Sequence, residues 1–149
     1  MLIISFLFIY FLFNFISMTP YQYTYLNFLN GKTNKAHKKF ENDYWGASLK
    51  ELLKTSYFKE NKINKVSICG ANPDIVKKYI HKTGHINITF TKPEESNYII
   101  MTNRATKKTE NPINRADLTN CFEKFPGKNI IEVKKNGLVL SSVRKINYN

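Results

Sequence analysis

The sequence predicts an α/β protein with one N-terminal transmembrane helix, followed by a small α/β domain with a mixed sheet and a C-terminal β-hairpin. Three observations support this fold class. Residues 2–18 are largely apolar and carry no charge, and the first charged side chain belongs to Lys32. Residues 65–102 alternate between apolar runs of strand length and apolar side chains at helical spacing. Asn136 and Gly137 lie between two apolar runs, which is a strong hairpin signal.

The first element is the apolar segment 1–18, which we assign to a transmembrane helix. About 18 residues at about 1.5 Å each reach roughly 27 Å, close to the hydrocarbon thickness of a bilayer. A signal peptide is the alternative, but no basic residue lies near Met1 and no Ala-x-Ala site follows. Pro20 ends the helix because it lacks an N–H donor. The sequence therefore predicts a single-pass membrane protein.

Residues 19–47 are predicted to be a linker, Tyr-rich at its start and basic in its middle. Tyr21, Tyr23 and Tyr25 follow the helix directly, which is typical of an aromatic belt at a membrane interface. A strand or turn packed on the domain is the alternative. The basic stretch 32–39 would bind anionic lipid beside a bilayer, and is otherwise a solvated linker.

The linker ends with the segment 43–46, whose sequence is Asp-Tyr-Trp-Gly and which contains the single tryptophan. Tyr44 and Trp45 offer a stacking platform for a sugar ring, and Asp43 would accept hydrogen bonds. The reading that we favour is structural: Trp45 fills the core of the domain, and Gly46 permits the turn into the next helix.

Residues 48–149 are predicted to form the α/β domain. Its first helix, 48–57, shows three leucines at helical spacing, and Ser48 with Glu51 fits a capping box. A strand–helix–strand unit and later antiparallel strands then predict a mixed sheet. The remaining predicted elements are a strand at 65–69, a helix from Asn72 or Asp74 to Gly84, strands at 86–91 and 97–102, an exposed loop at 104–114, a short helix at 117–122, and hairpin strands at 130–133 and 138–143.

The charge balance indicates an anionic neighbour. The formal net charge is +12, from 23 Lys and Arg residues against 11 Asp and Glu residues. Lipid headgroups and acidic glycans fit this charge. Nucleic-acid binding would need aromatic side chains interleaved with the basic ones. Here the aromatic residues are concentrated in residues 1–28, so we do not expect nucleic acid as a partner.

The remaining chemistry-bearing residues predict neither a catalytic nor a metal site. Cys69 and Cys121 allow one disulfide, but Cys69 lies in an apolar run, and we expect buried free thiols. The Gly-Ala-Asn-Pro turn at 70–73 contains a single glycine and is read as a plain strand-to-helix turn. Between His81 and His85 a glycine breaks the helix that would align them as metal ligands.

Two segments carry a family resemblance. PYQYTYLN at 20–27 and FENDYWGASLKE at 40–51 resemble the C-terminal region of bacterial multi-spanning membrane glycosyltransferases, the protein mannosyltransferase and aminoarabinose transferase family. There, a similar Tyr-rich segment follows the last membrane helix, and a DYWG segment opens a soluble domain. The resemblance covers 19–51 well and the rest in outline. It implies as binding residues Tyr21, Gln22, Tyr23, Tyr25, Asn27, Asp43, Tyr44, Trp45 and Gly46.

The resemblance also implies a function. The chain would be a C-terminal extracytoplasmic accessory domain of an enzyme that uses a polyprenyl-phosphate-linked sugar. The catalytic residues would lie outside this chain, in a membrane portion that is its partner. The basic stretch 32–39 argues against the outward orientation, since positive residues favour the cytoplasmic side. The alternative is a stand-alone, membrane-anchored basic module that binds anionic lipid or glycan without catalysis.

Overall fold

The computed structural model confirms an α/β fold with a mixed five-stranded sheet, and it describes residues 2–17, 19, 21, 43, 46–55, 63–85, 87–106, 118–135 and 137–146. The helices are α1 (Leu2–Ser17), α2 (Ala47–Thr55), α3 (Pro73–Lys82) and α4 (Cys121–Lys124), with a short 3₁₀ turn at Pro93–Glu95. The strands are β1 (Asn64–Cys69), β2 (Ile88–Phe90), β3 (Tyr98–Thr102), β4 (Ala105–Thr106), β5 (Thr119–Asn120), β6 (Asn129–Lys135) and β7 (Leu138–Lys145).

The main sheet has the order β2-β1-β3-β7-β6, in which the first three strands are parallel. β7 runs antiparallel to β3 and forms a hairpin with β6. Lys135 pairs with Leu138, and Gly137 has φ +81°, so the predicted hairpin turn is confirmed. β4 and β5 form a separate two-stranded sheet, within the segment predicted to be an exposed loop and a short helix.

The hydrophobic core lies between one face of the sheet and the helices α2 and α3. The leucines predicted at helical spacing in α2 are buried, as are Val76 and Ile80 of α3. Asn72 caps α3 by accepting a hydrogen bond from the backbone N–H of Asp74 at 2.9 Å, as one of the two predicted caps.

The opposite face of the sheet carries a second, smaller core. Ile99 and Met101 of β3 are fully buried there against Cys121 of α4. Cys69 at the end of β1 forms a disulfide with Cys121, and the described residues contain no free cysteine. The prediction of free thiols is therefore wrong, because the sheet places β1 beside β3, over which α4 packs.

The predicted transmembrane helix over residues 1–18 is also wrong. Among the described residues, no helix combines the length and the apolar character that a bilayer crossing requires. α1 has 16 residues, or roughly 24 Å at about 1.5 Å each, against about 30 Å of hydrocarbon. The single-pass membrane location with an extracytoplasmic domain, which rested on this helix, is corrected with it.

The start of α2 differs from the predicted capping box. Ser48 is the second residue of the helix and is fully buried, so it does not occupy the cap position. The N-terminus of α2 is capped instead by the carboxylate of Asp43. The aromatic belt beyond Tyr21 and the basic stretch 32–39 lie outside the described residues, and both stay predictions.

Candidate functional site

Three of the nine binding residues implied by the family resemblance are described. These are Tyr21, Asp43 and Gly46, and all three lie at α2 or at its start. The other six lie outside the described residues, and their role stays a prediction: Gln22, Tyr23, Tyr25, Asn27, Tyr44 and Trp45.

Tyr21 is held against α2 by a partly buried hydrogen bond and by a nearby cation. Its hydroxyl donates to Oε2 of Glu51 at 2.6 Å, and only 1% of the residue is exposed. Nζ of Lys135 lies 5.2 Å from the centre of the tyrosine ring and 3.8 Å from Oε1 of Glu51. Burial, and then the hydrogen bond and charge of Glu51, raise the pKa of the Tyr21 phenol well above its usual value.

Asp43 caps the N-terminus of α2. Its carboxylate accepts hydrogen bonds from the Ser48 hydroxyl and from the Ser48 backbone N–H, the latter at 3.4 Å. A buried carboxylate at this end of a helix is stabilised by the free N–H groups and the helix dipole. Gly46 completes the turn at φ +62°, and its N–H donates to the Asp43 carbonyl at 2.9 Å.

The structure thus brings one residue from each matched segment onto the same helix. Tyr21 and Asp43 are each only 1% exposed, so their described contacts are packing and capping contacts of α2. The sequence predicted that Asp43 lies close to this helix, but it did not predict the same for Tyr21. A direct role in ligand binding stays a prediction for both residues.

A cleft of about 280 Å³ lies on the opposite face of the sheet, and sequence reasoning missed it. It opens beside α4, over β6 and β7 and the segment that follows β3. Its lining combines three amide side chains with one aromatic ring, one aliphatic side chain, one carboxylate and one guanidinium. The lining residues are Asn103, Asn120, Phe122, Glu123, Asn129, Val139 and Arg144.

Two buried asparagines fix one end of the cleft through a hydrogen-bond relay. Nδ2 of Asn120 donates to Oδ1 of Asn103 at 2.7 Å, and Nδ2 of Asn103 donates to the Val139 carbonyl at 3.0 Å. Oδ1 of Asn120 also caps α4 by accepting from the Glu123 N–H at 2.9 Å. Because these groups are buried and bonded, they hold their orientation.

Arg144 lies at the other end of the cleft and is only 7% exposed. Its Nε donates to Oδ1 of Asn129 at 3.0 Å. Its Nη1 donates to the carbonyls of Phe122, at 3.2 Å, and Phe125, so the guanidinium closes the C-terminal end of α4. The guanidinium also lies 5.9 Å from the centre of the Phe122 ring. Burial lowers the pKa of Arg144, which nonetheless stays charged at neutral pH.

The disulfide and Gly70 set the position of α4, and so the wall of the cleft. Cys121 is the first residue of α4, and its bond to Cys69 ties this four-residue helix to the end of β1. A Cβ atom at Gly70 would lie 3.0 Å from Sγ of Cys121 and 2.7 Å from Oγ1 of Thr102. Glycine at this position therefore lets the helix and the sheet approach each other closely.

The cleft residues left only weak signals in the sequence. Arg144 is a single cation in the otherwise uncharged run 138–144, and a charged residue in an apolar strand is unusual unless it has buried partners. Asn103 follows β3, and Asn120 is the last residue of β5. Asparagine is common at such positions, where a strand gives way to a turn. Only the pairing of β3 with β7 brings these residues together.

Comparison with protein-family models, with curated proteins and with solved structures found no match for this chain.

Proposed function

We propose that this protein is a non-catalytic, glycan-binding accessory domain, and that the cleft beside α4 is its sugar-binding site. The observation that carries the proposal is the cleft lining: three asparagine amides, a carboxylate, a guanidinium and a phenylalanine ring around about 280 Å³. Amides and charged groups bond the hydroxyls of a sugar, while an aromatic ring packs against its C–H face. Small-molecule sites have volumes of about 300–1,000 Å³, so this cleft has the size of the smallest of them.

The orientation of these groups supports the proposal further. Asn103 and Asn120 are fixed by the buried relay, and Asn129 is held by Arg144 on one side and Glu132 on the other, at 3.0 and 2.9 Å. Groups that are fixed before binding lose less entropy when a ligand arrives. The cleft is therefore preorganised for a polar ligand.

The family resemblance suggests which enzyme would use this sugar binding. On that basis, the domain serves a glycosyltransferase that uses a polyprenyl-phosphate-linked sugar, and its catalytic carboxylates lie in a partner portion. The cleft would position the acceptor or the sugar of the donor. Stand-alone glycan binding is the second candidate, and it rests on the same cleft.

The test is a binding screen of the full chain against immobilised neutral and acidic oligosaccharides, in a detergent that has no sugar headgroup. We expect at least one glycan to bind, and we expect Phe122→Leu to weaken that binding about fivefold, because it removes the ring face and keeps an apolar side chain. Ile75→Ala is the matched control. Ile75 is 41% exposed on α3, which packs on the other face of the sheet.

Two outcomes would contradict the proposal. Binding of none of the glycans would remove the function itself. Equal weakening by Phe122→Leu and Ile75→Ala would mean that the glycan binds outside the cleft. Circular dichroism of each variant shows whether the fold is kept.

A further inference from the structure

The guanidinium of Arg144 has unused hydrogen-bonding capacity. An arginine side chain carries five N–H donors, one on Nε and two on each terminal nitrogen. In Arg144, the Nε donor and the two Nη1 donors are used by Asn129, Phe122 and Phe125. Nη2 donates to none of the described residues. Among the described residues, the buried side-chain atoms without a partner are all hydroxyl oxygens, so Nη2 is accessible to solvent. Because Arg144 lines the cleft, we take these two donors to be available to a ligand there.

Arg144 also lacks a charge partner in the described part of the chain. Its bonded groups are an amide oxygen and two backbone carbonyls, all of them neutral. A cation that is largely removed from water and faces only neutral groups interacts favourably with an anion bound beside it. Hydrogen bonds from a guanidinium to an anionic oxygen are about twice as strong as neutral ones.

Glu123 is the negatively charged residue of the cleft lining, and its exposure weakens its effect on a ligand inside the cleft. Its side chain is exposed, and its Oε2 accepts a hydrogen bond from the Thr119 hydroxyl at 3.0 Å. Solvent and salt screen an exposed charge far more than a buried one. The buried guanidinium therefore dominates the field inside the cleft, and the net charge of +12 favours the approach of an anion.

We infer that the cleft selects a sugar carrying an anionic oxygen group, and that the two Nη2 donors of Arg144 bind this group. The inference rests on the proposed glycan-binding function and adds the ligand class. A uronic acid carboxylate and a sugar phosphate ester share the required chemistry. Phe122 and the asparagine amides contact the ring of the same sugar, because they line the same cleft.

The test is calorimetric titration of the full chain with D-glucose, D-glucuronate and glucose 1-phosphate. We expect at least one of the two acidic sugars to bind about tenfold more tightly than glucose. Preference for glucuronate identifies a carboxylate ligand, and preference for glucose 1-phosphate identifies a phosphate ester. Arg144→Gln should remove the preference. Lys145→Gln is the matched control, since it removes the same charge from an exposed neighbour on β7, and it should keep the preference.

A measurement on the unmodified chain covers the case in which Arg144→Gln fails to fold. The side-chain Nε–H signal of Arg144 in a ¹H–¹⁵N spectrum should shift on addition of the preferred acidic sugar and stay in place with glucose. Equal affinities for glucose and both acidic sugars would overturn the inference and leave glycan binding intact. Binding of none of the three, together with a failed oligosaccharide screen, would overturn both.

Discussion

Removal of the Cys69–Cys121 disulfide should cost this domain a large part of its stability. The bond joins residues 52 positions apart, and the chain-entropy relation for a loop of that length gives about 4 kcal/mol. Domains of this size unfold with a free energy of about 5–15 kcal/mol. Because Cys121 opens α4, the loss should also loosen the wall of the cleft.

The perturbation is made in two ways, to separate the crosslink from the packing of the sulfur atoms. Reduction of the wild-type chain opens the bond and keeps both side chains, whereas the double variant Cys69→Ala, Cys121→Ala also removes the buried Sγ atoms. Urea unfolding followed by circular dichroism gives the free energy of unfolding in each case. We expect a loss of about 4 kcal/mol on reduction and a greater loss in the double variant.

A loss below about 1 kcal/mol on reduction would refute this reasoning, since the crosslink would then not constrain the unfolded chain. A second readout concerns the cleft. Without urea, the affinity for sugar should also fall when the disulfide is reduced. The helix α4 has only four residues, and this bond ties it to the sheet.

Two further predictions concern the contacts of α2. Gly46→Ala should destabilise the fold by about 2 kcal/mol, because φ is +62° and the added Cβ would lie 2.9 Å from Cδ1 of Leu49. Gly84→Ala, at φ +77° with open space around it, should cost about half as much in the same urea titration. Tyr21→Phe should cost about 1 kcal/mol at neutral pH, since it deletes the hydrogen bond to Glu51. The pKa of Tyr21 is raised in the folded state, so its contribution is present below pH of about 10 and is lost as the pH rises further. Wild type should therefore lose stability above that pH more steeply than Tyr21→Phe, and parallel pH profiles would contradict the assigned burial.

Local patterns predicted the elements of the fold well. The leucine spacing of α2 and the turn at Gly137 act within a few residues, and both are confirmed. The cap of α2 was misplaced because the capping carboxylate of Asp43 lies five residues before Ser48 and reaches it through a turn at positive φ. The transmembrane assignment failed because apolar composition alone does not establish a membrane-spanning helix, and no described helix meets the length and apolar character required.

The cleft and the disulfide depend on contacts that are distant in sequence. Cys69 and Cys121 meet because β1 lies beside β3 at the centre of the sheet, which no local pattern reveals. Asn103 and Arg144 share one cleft because β7 returns antiparallel to β3. The basic composition predicts an anionic neighbour, which stays a prediction, and it gives no position for one. A buried arginine within an apolar strand is the more specific signal.

The most direct test of the proposed site is a ¹H–¹⁵N titration of the wild-type chain, followed through the side-chain amide signals of its asparagines. The predicted result is a saturable shift of the amides of Asn103, Asn120 and Asn129 on addition of an acidic oligosaccharide. The amide of Asn72, which caps α3 outside the cleft, should stay in place. Unchanged cleft amides at saturating sugar, or shifts no larger than that of Asn72, would contradict the account.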